Sequence, residues 1–214
     1  LCSQIDSVSI NTIIDNRTIQ YEHSEIFSKI LTQDNEGRIK PFHTLSSEIV
    51  RKISRKNTLF GQTPPQIVLG MIIDPLFWYM VPIIKVSQIS SIIGNNNSYV
   101  SFASFFDNNN KYLLEKYVQN AYDKKPIDRT KFDKSIIDID ERVNICSMIF
   151  SDLIVNIFPS NVSIEEPWSN DVAMNIPSID SSKTKSFKVI YRELVLSSMI
   201  DNDWSDSNIL LDYI

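Results

Sequence analysis

Hydrophobic residues along this chain recur mostly at intervals of three and four, the spacing of amphipathic helices. The longest series runs through Phe132, Ile136, Ile139, Val143, Cys146, Phe150, Leu153 and Ile157. It predicts one long helix over Asp128–Ile157 with a single apolar seam. Such a seam serves either a coiled coil or the chain's own core, and a lone seam favours the core.

Shorter helices are predicted on both sides of this one. Glu22–Leu31 should be helical up to the turn at Asp34–Gly37, and Leu45, Ile49 and Ile53 should line the next helix. Two start signals follow, Thr63-Pro64-Pro65-Gln66 with the pattern of a capping box and Asp74-Pro75 before Leu76–Met80. Further helices are predicted at Ser87–Ile93, Lys111–Asp123, Lys183–Met199, and from Ser205 or Asp206 to Ile214.

Three segments lack this helical spacing. Ser7–Tyr21 mixes β-branched and polar residues and predicts an extended lead-in, as a strand or hairpin. Pro82–Val86 predicts a short extended connection, and Ser160–Ser182 a loop or arm with Trp168 as its aromatic anchor. We therefore predict a mainly α fold built around a long amphipathic helix, with minor short β segments. The single predicted domain comprises an extended lead-in (1–20), a helical core (21–159), a loop or arm (160–182) and C-terminal helices (183–214).

Composition and charge narrow the function classes. The 214 residues are 43% hydrophobic, which is enough for a substantial core, and only four are glycine, which argues against a glycine-rich nucleotide-binding fold. The net charge of −5 and the pI near 5.1 argue against nonspecific nucleic-acid binding. We expect no nucleic-acid partner.

The apolar segments and the cysteines argue against a membrane-spanning helix and against two cysteine motifs. The most apolar stretch, Ile67–Val86, is interrupted by Asp74, two prolines and Lys85, so we expect a soluble chain. Cys2 and Cys146 lie too far apart in sequence for a CxxC redox pair or a haem-attachment motif. The chain begins at Leu1 without a signal-peptide pattern, which is typical of a mature or excised segment.

A basic segment at Gly37–Lys56 contrasts with the acidic whole. It reads GRIKPFHTLSSEIVRKISRK and holds six cations against the single acid Glu48. Two later stretches are equally distinctive, PPQIVLGMIIDPLFWYMVPIIKV and KFDKSIIDIDERVNICSMIFSDLIVNIFP. Together, over roughly Tyr21–Pro159, these phrases resemble the extracytoplasmic region of large fused bacterial cytochrome c biogenesis proteins of the CcsA/ResC type (System II).

The resemblance implies a periplasmic domain, at the inner membrane, of a machine that exports haem and attaches it covalently to apocytochrome c. The family's tryptophan-rich WWD segment and its flanking histidines have no match in these 214 residues. The resemblance therefore implies no catalytic residue in this chain, and whether the chain is an enzyme stays open. We expect an accessory domain that docks apocytochrome c or organises the membrane-spanning parts of the same protein, and these two are its expected partners. The alternatives are a direct haem-binding module and a purely structural insertion.

His43 is the candidate haem ligand, because imidazole is a common axial ligand of haem iron. Lys40, Arg51 and Arg55 are the candidate partners of the haem propionates. In the competing interpretation, His43 only packs or hydrogen-bonds at the helix start, and the late cations complement the helix dipole. We favour that interpretation, with no cofactor in the isolated domain and haem in the parent protein. His23, next to Glu22, is a weaker candidate.

Other chemistry is less supported by the residues. Cys146 is a candidate for thiol exchange with apocytochrome cysteines, but its place on the apolar seam favours a packed thiol. Asp138, Asp140 and Glu141 suggest a cation site, but Lys134 and Arg142 favour an ordinary charged face, and we predict no metal. No pattern of a hydrolase nucleophile surrounds either histidine.

Overall fold

The computed structural model describes residues 12–87, 89, 92–160, 166–174 and 185–214. Within these ranges the chain is mainly helical, with short two-stranded hairpins, as predicted. The helices are α1 (Tyr21–Ser28), α2 (Phe42–Ser54), α3 (Pro64–Ile73), α4 (Pro75–Trp78), α5 (Glu115–Tyr122), α6 (Lys131–Phe150), α7 (Phe187–Asp201) and α8 (Ser205–Leu211). Two 3₁₀ turns cover Phe102–Phe105 and Pro126–Asp128.

The strands form three antiparallel pairs. β1 (Leu31–Gln33) pairs with β2 (Ile39–Pro41), with Thr32 opposite Lys40. β3 (Ile84–Lys85) pairs with β4 (Tyr99–Val100), and β5 (Ala173–Met174) pairs with β6 (Lys185–Ser186). Each pair is short and packs against helices, which is how such small hairpins become stable.

The centre of the core is α3, which is apolar on nearly every side and contacts α1, α2, α4, α6 and α7. Its start follows the predicted capping box, since the Gln66 side chain accepts a hydrogen bond from the Thr63 N–H at 3.0 Å. Gly70 lies where Trp78 packs against the helix, and a Cβ there would sit 2.8 Å from the indole Nε1. The close approach of α4 therefore depends on glycine at this position.

The long helix exists but is shorter than its sequence pattern. Its seam packs as core rather than as a coiled coil, with Ile136, Ile139, Val143 and Cys146 buried. The helix ends at Phe150 because Asp152 adopts the left-handed backbone conformation. The N–H groups of Asp152 and Leu153 donate to carbonyls of the last helical turn, which is the pattern of a Schellman motif. Leu153, predicted on the seam, is 55% exposed.

Other element boundaries also differ from prediction. Residues 12–15 form a helical turn instead of an extended lead-in. Ile14 and Ile19 are both fully buried, and positions five apart would face opposite sides of a straight strand. α1 ends at Ser28, so Leu31 starts a strand, and the turn at Asp34–Gly37 closes a hairpin rather than a helix.

Further differences lie at helix ends. Lys185 and Ser186 form β6, so α7 begins at Phe187, and α8 ends at Leu211 rather than at Ile214. α5 begins at Glu115 rather than at Lys111, because Asp107 accepts the Lys111 N–H in a preceding turn. At α8 it is Asp203, not the predicted Ser205 or Asp206, whose carboxylate accepts a hydrogen bond from the first-turn N–H. Of the predicted helix at Ser87–Ile93, residues 87, 89, 92 and 93 are described, and none of them lies in a helix. Cys2 and most of the predicted loop at Ser160–Ser182 lie outside the described residues.

Candidate functional site

The basic segment forms β2 and α2. Phe42, the first residue of α2, is fully buried and fixes the start of the helix, so His43 projects from its first turn into solvent. Within the described part of the chain, the imidazole of His43 forms no hydrogen bond or ion pair. Arg51 is likewise exposed and unpaired, eight residues further along, which places it about 12 Å away along the helix axis.

Lys40 is held inside the domain rather than offered to a ligand. Its Nζ lies 2.8 Å from an oxygen of Asp34 and 2.8 Å from an oxygen of Glu48, and its side chain is 12% exposed. These two carboxylates raise the pKa of Lys40. Asp34 is itself fixed in the β1–β2 turn, where it also accepts the backbone N–H of Arg38.

Arg55 is also engaged. Its guanidinium donates to both oxygens of Asp138 on α6, each at 2.9 Å. Lys52 lies beside it and reaches Glu141 at 2.5 Å, while the buried Arg142 pairs with the second oxygen of Asp138. The carboxylates of α6 thus tie the end of α2 to the long helix instead of forming a cation site.

The third predicted acidic residue points elsewhere. Asp140 accepts the hydroxyl of Tyr112 at 2.8 Å and the amide of Asn144 at 3.1 Å. Burial, with a smaller effect of the Asp140 carboxylate, raises the pKa of Tyr112 and keeps the hydroxyl protonated as a donor. In the residues that the structure describes, no group of three or more His, Cys, Asp or Glu side chains could share a metal ion.

Two cations that the sequence pattern did not connect lie around Tyr99. The Nζ atoms of Lys56 and Lys85 lie 4.7 Å and 4.8 Å from the centre of the Tyr99 ring, within cation–π distance. The phenol hydroxyl is anchored to the carbonyl of Ser54 at 3.1 Å. We call Lys56, Lys85 and Tyr99 the cationic face.

Cys146 is completely buried on α6. Burial raises the pKa of its thiol, so the thiolate that exchange requires is disfavoured at this position. A role in thiol exchange stays a prediction.

His23 is the residue that sequence reasoning underestimated. It is fully buried, with Nδ1 2.7 Å from the Asn208 side-chain oxygen and Nε2 2.8 Å from the Tyr191 hydroxyl. Its ring also packs against Trp204, with ring centres 5.0 Å apart. His23 therefore joins α1 to the C-terminal helices as a neutral hydrogen-bonding group. Its spacing of four from the buried Phe27 is the local signal that places it on the inner side of α1.

The structure does not bring the four predicted haem-contacting residues to one place. Lys40 and His43 lie at the start of α2, whereas Arg51 and Arg55 lie at its end. None of them lines the described cavity of about 260 Å³ between α3 and α7, or the polar cavity of about 350 Å³ beside the β1–β2 turn. Haem contact by these four residues stays a prediction.

The sequence is 34% identical, over 152 residues, to Protein NrfI of Wolinella succinogenes. The similarity supports a general assignment to cytochrome c biogenesis. The matched part makes up 70% of this chain but only 17% of NrfI, so the chain spans about a sixth of that relative's length. No protein-family model matches the sequence. Within the described residues, no helix is both long and apolar enough to cross a membrane.

Proposed function

We propose that this chain is a periplasmic accessory domain of a membrane cytochrome c biogenesis protein of the fused CcsA/ResC type. In this role it docks apocytochrome c so that the membrane-spanning parts can attach haem. The observation that carries the proposal is the similarity to NrfI over most of this chain. The engagement of Lys40 and Arg55 in internal ion pairs supports a docking role over a haem-holding one.

The cationic face is the surface that we assign to docking. Lys56 is exposed, and neither Lys56 nor Lys85 forms an ion pair within the described residues. Both cations contact the Tyr99 ring, which is held by its hydroxyl. Two cations without carboxylate partners, one exposed and one half-buried, suit a polypeptide that brings carboxylates.

A binding titration tests this proposal. A reduced apocytochrome peptide that contains CxxCH should bind the chain saturably, and charge reversal at Lys56 and Lys85 to Glu should weaken binding about tenfold. The matched control reverses the exposed Lys29 and Lys116, which changes the net charge equally on other surfaces. Equal weakening by both pairs would refute docking at this face. No binding to the unaltered chain would refute docking itself and favour a structural insertion.

A hemin titration tests the haem-binding alternative in parallel. We expect no saturable Soret shift, because His43 lines none of the described cavities and, of the candidate propionate partners, Lys40 and Arg55 are already paired with carboxylates. A saturable shift that disappears in His43→Ala would overturn the accessory assignment and make His43 a ligand.

A further inference from the structure

A cavity of about 260 Å³ lies between α3 and α7, on the side where α6 ends. Its inner walls are apolar and come from well-buried residues, including Phe27, Leu69, Ile73 and Phe187. An apolar cavity of about 150 Å³ is large enough to hold benzene. By volume, this cavity accommodates an apolar body of about eight to ten carbon atoms.

Polar groups lie on one part of the lining, where Asp152, Asn170, Lys188 and Arg192 meet. Lys188 is occupied, since its Nζ lies 2.8 Å from a carboxylate oxygen of Asp152 and 3.1 Å from the Asp152 carbonyl oxygen. Asn170 also donates to that carbonyl, at 2.5 Å. The polar groups of Asp152, Asn170 and Lys188 therefore bind one another.

Arg192 differs from these neighbours. Its side chain is exposed, and within the described residues it forms no hydrogen bond and no ion pair closer than 4 Å. The nearby carboxylates have other donors, Lys188 for Asp152 and the Ser186 hydroxyl, at 2.6 Å, for Asp171. The charge of Arg192 acts on Asp152, but its N–H groups donate no hydrogen bond within the described residues, and Arg192 is one of the residues that line the apolar cavity.

We propose that this cavity binds a small organic carboxylate with an apolar body, such as a medium-chain fatty acid. The apolar part fills the space against Leu69 and Phe187, and the carboxylate accepts hydrogen bonds from Arg192. Burial of the apolar part supplies most of the affinity, while the charged hydrogen bond selects the anion. This binding site lies apart from the cationic face and does not depend on the docking function.

Calorimetric titrations with octanoate and 1-octanol test the proposal, because the two probes share a chain length and differ in charge. Octanoate should bind the chain saturably at one site. Arg192→Gln should weaken octanoate about tenfold and leave 1-octanol unchanged. Glu193→Gln alters the next, exposed residue of α7 and serves as the matched control, with no expected effect on either probe.

A second variant tests the cavity independently of the charge. Ile72→Phe enlarges a half-buried lining residue, and it should weaken both probes if they occupy this space. Thermal melts of each variant establish that it is folded. Absence of saturable octanoate binding, or binding that neither Arg192→Gln nor Ile72→Phe weakens, would overturn the assignment.

Discussion

Acidification should destabilise this protein through His23. Burial lowers the pKa of this imidazole below its ordinary value of 6.5, although the hydrogen bond to Asn208 acts in the opposite direction. The folded chain therefore keeps His23 neutral at a pH where the unfolded chain already binds a proton. The stabilisation is complete above about pH 6.5 and is lost progressively as the pH falls towards the lowered folded pKa.

The magnitude follows from proton linkage. If the folded imidazole stays neutral throughout, moving from about pH 7.5 to about pH 5.5 costs about 1.4 kcal/mol of unfolding free energy, and partial protonation makes the loss smaller. Carboxylates contribute little in this interval. Those with lowered pKa values, such as Asp133 at about 2, lose their stabilisation at lower pH, below the ordinary value of 3.8. Asp152 has a raised pKa through burial and acts in the opposite direction.

Urea denaturation at the two pH values measures the effect. His23→Gln removes the titrating group. On acidification, its free energy of unfolding should therefore fall by about 1 kcal/mol less than that of the unaltered chain. His43→Gln is the matched control, because it replaces an exposed histidine, and it should keep the original difference between the two pH values. An equal loss in the unaltered chain and His23→Gln would refute the reasoning and place the pH sensitivity elsewhere.

Three further predictions concern the packing. Gly70→Ala should destabilise the fold by about 1–2 kcal/mol in chemical denaturation, because the added Cβ would overlap the buried Trp78. The cost of this overlap should exceed the gain in helix propensity, and a gain in stability would contradict this packing. Asp138→Asn should cost about 1–3 kcal/mol because it leaves the buried Arg142 without its charge partner, whereas Glu141→Gln, at an exposed position, should cost under about 0.5 kcal/mol. Cys146 should react with a thiol reagent only as fast as the chain unfolds, and rapid labelling of the native protein would contradict its burial.

Local signals in the sequence were sufficient where structure is local. The capping box before α3 depends on Thr63 and Gln66, three residues apart, and its position was predicted correctly. The apolar spacing of Leu45, Ile49 and Ile53 correctly placed the buried side of α2. In both cases, the residues that decide the element lie within one or two turns of it.

Elements that depend on distant partners were missed. The end of α6 carries no glycine, because Asp152 takes the left-handed conformation and is held by Lys188, 36 residues away. The role of His23 depends on Tyr191 and Asn208, more than 160 residues further along the chain. Spacing alone could indicate that His23 lies on the inner side of its helix, but not which groups it meets there.

The same long-range contacts decide how the basic segment can be studied by mutation. Lys40 and Arg55 were candidate haem-binding cations, yet each forms an ion pair with a carboxylate of the domain itself. Loss of function after replacing either residue would therefore mix lost stability with lost binding. Lys56 and Lys85 contact the neutral Tyr99 ring, so replacing them leaves no described carboxylate without an ion-pair partner. A binding defect caused by their reversal, at unchanged melting temperature, can be attributed to a partner.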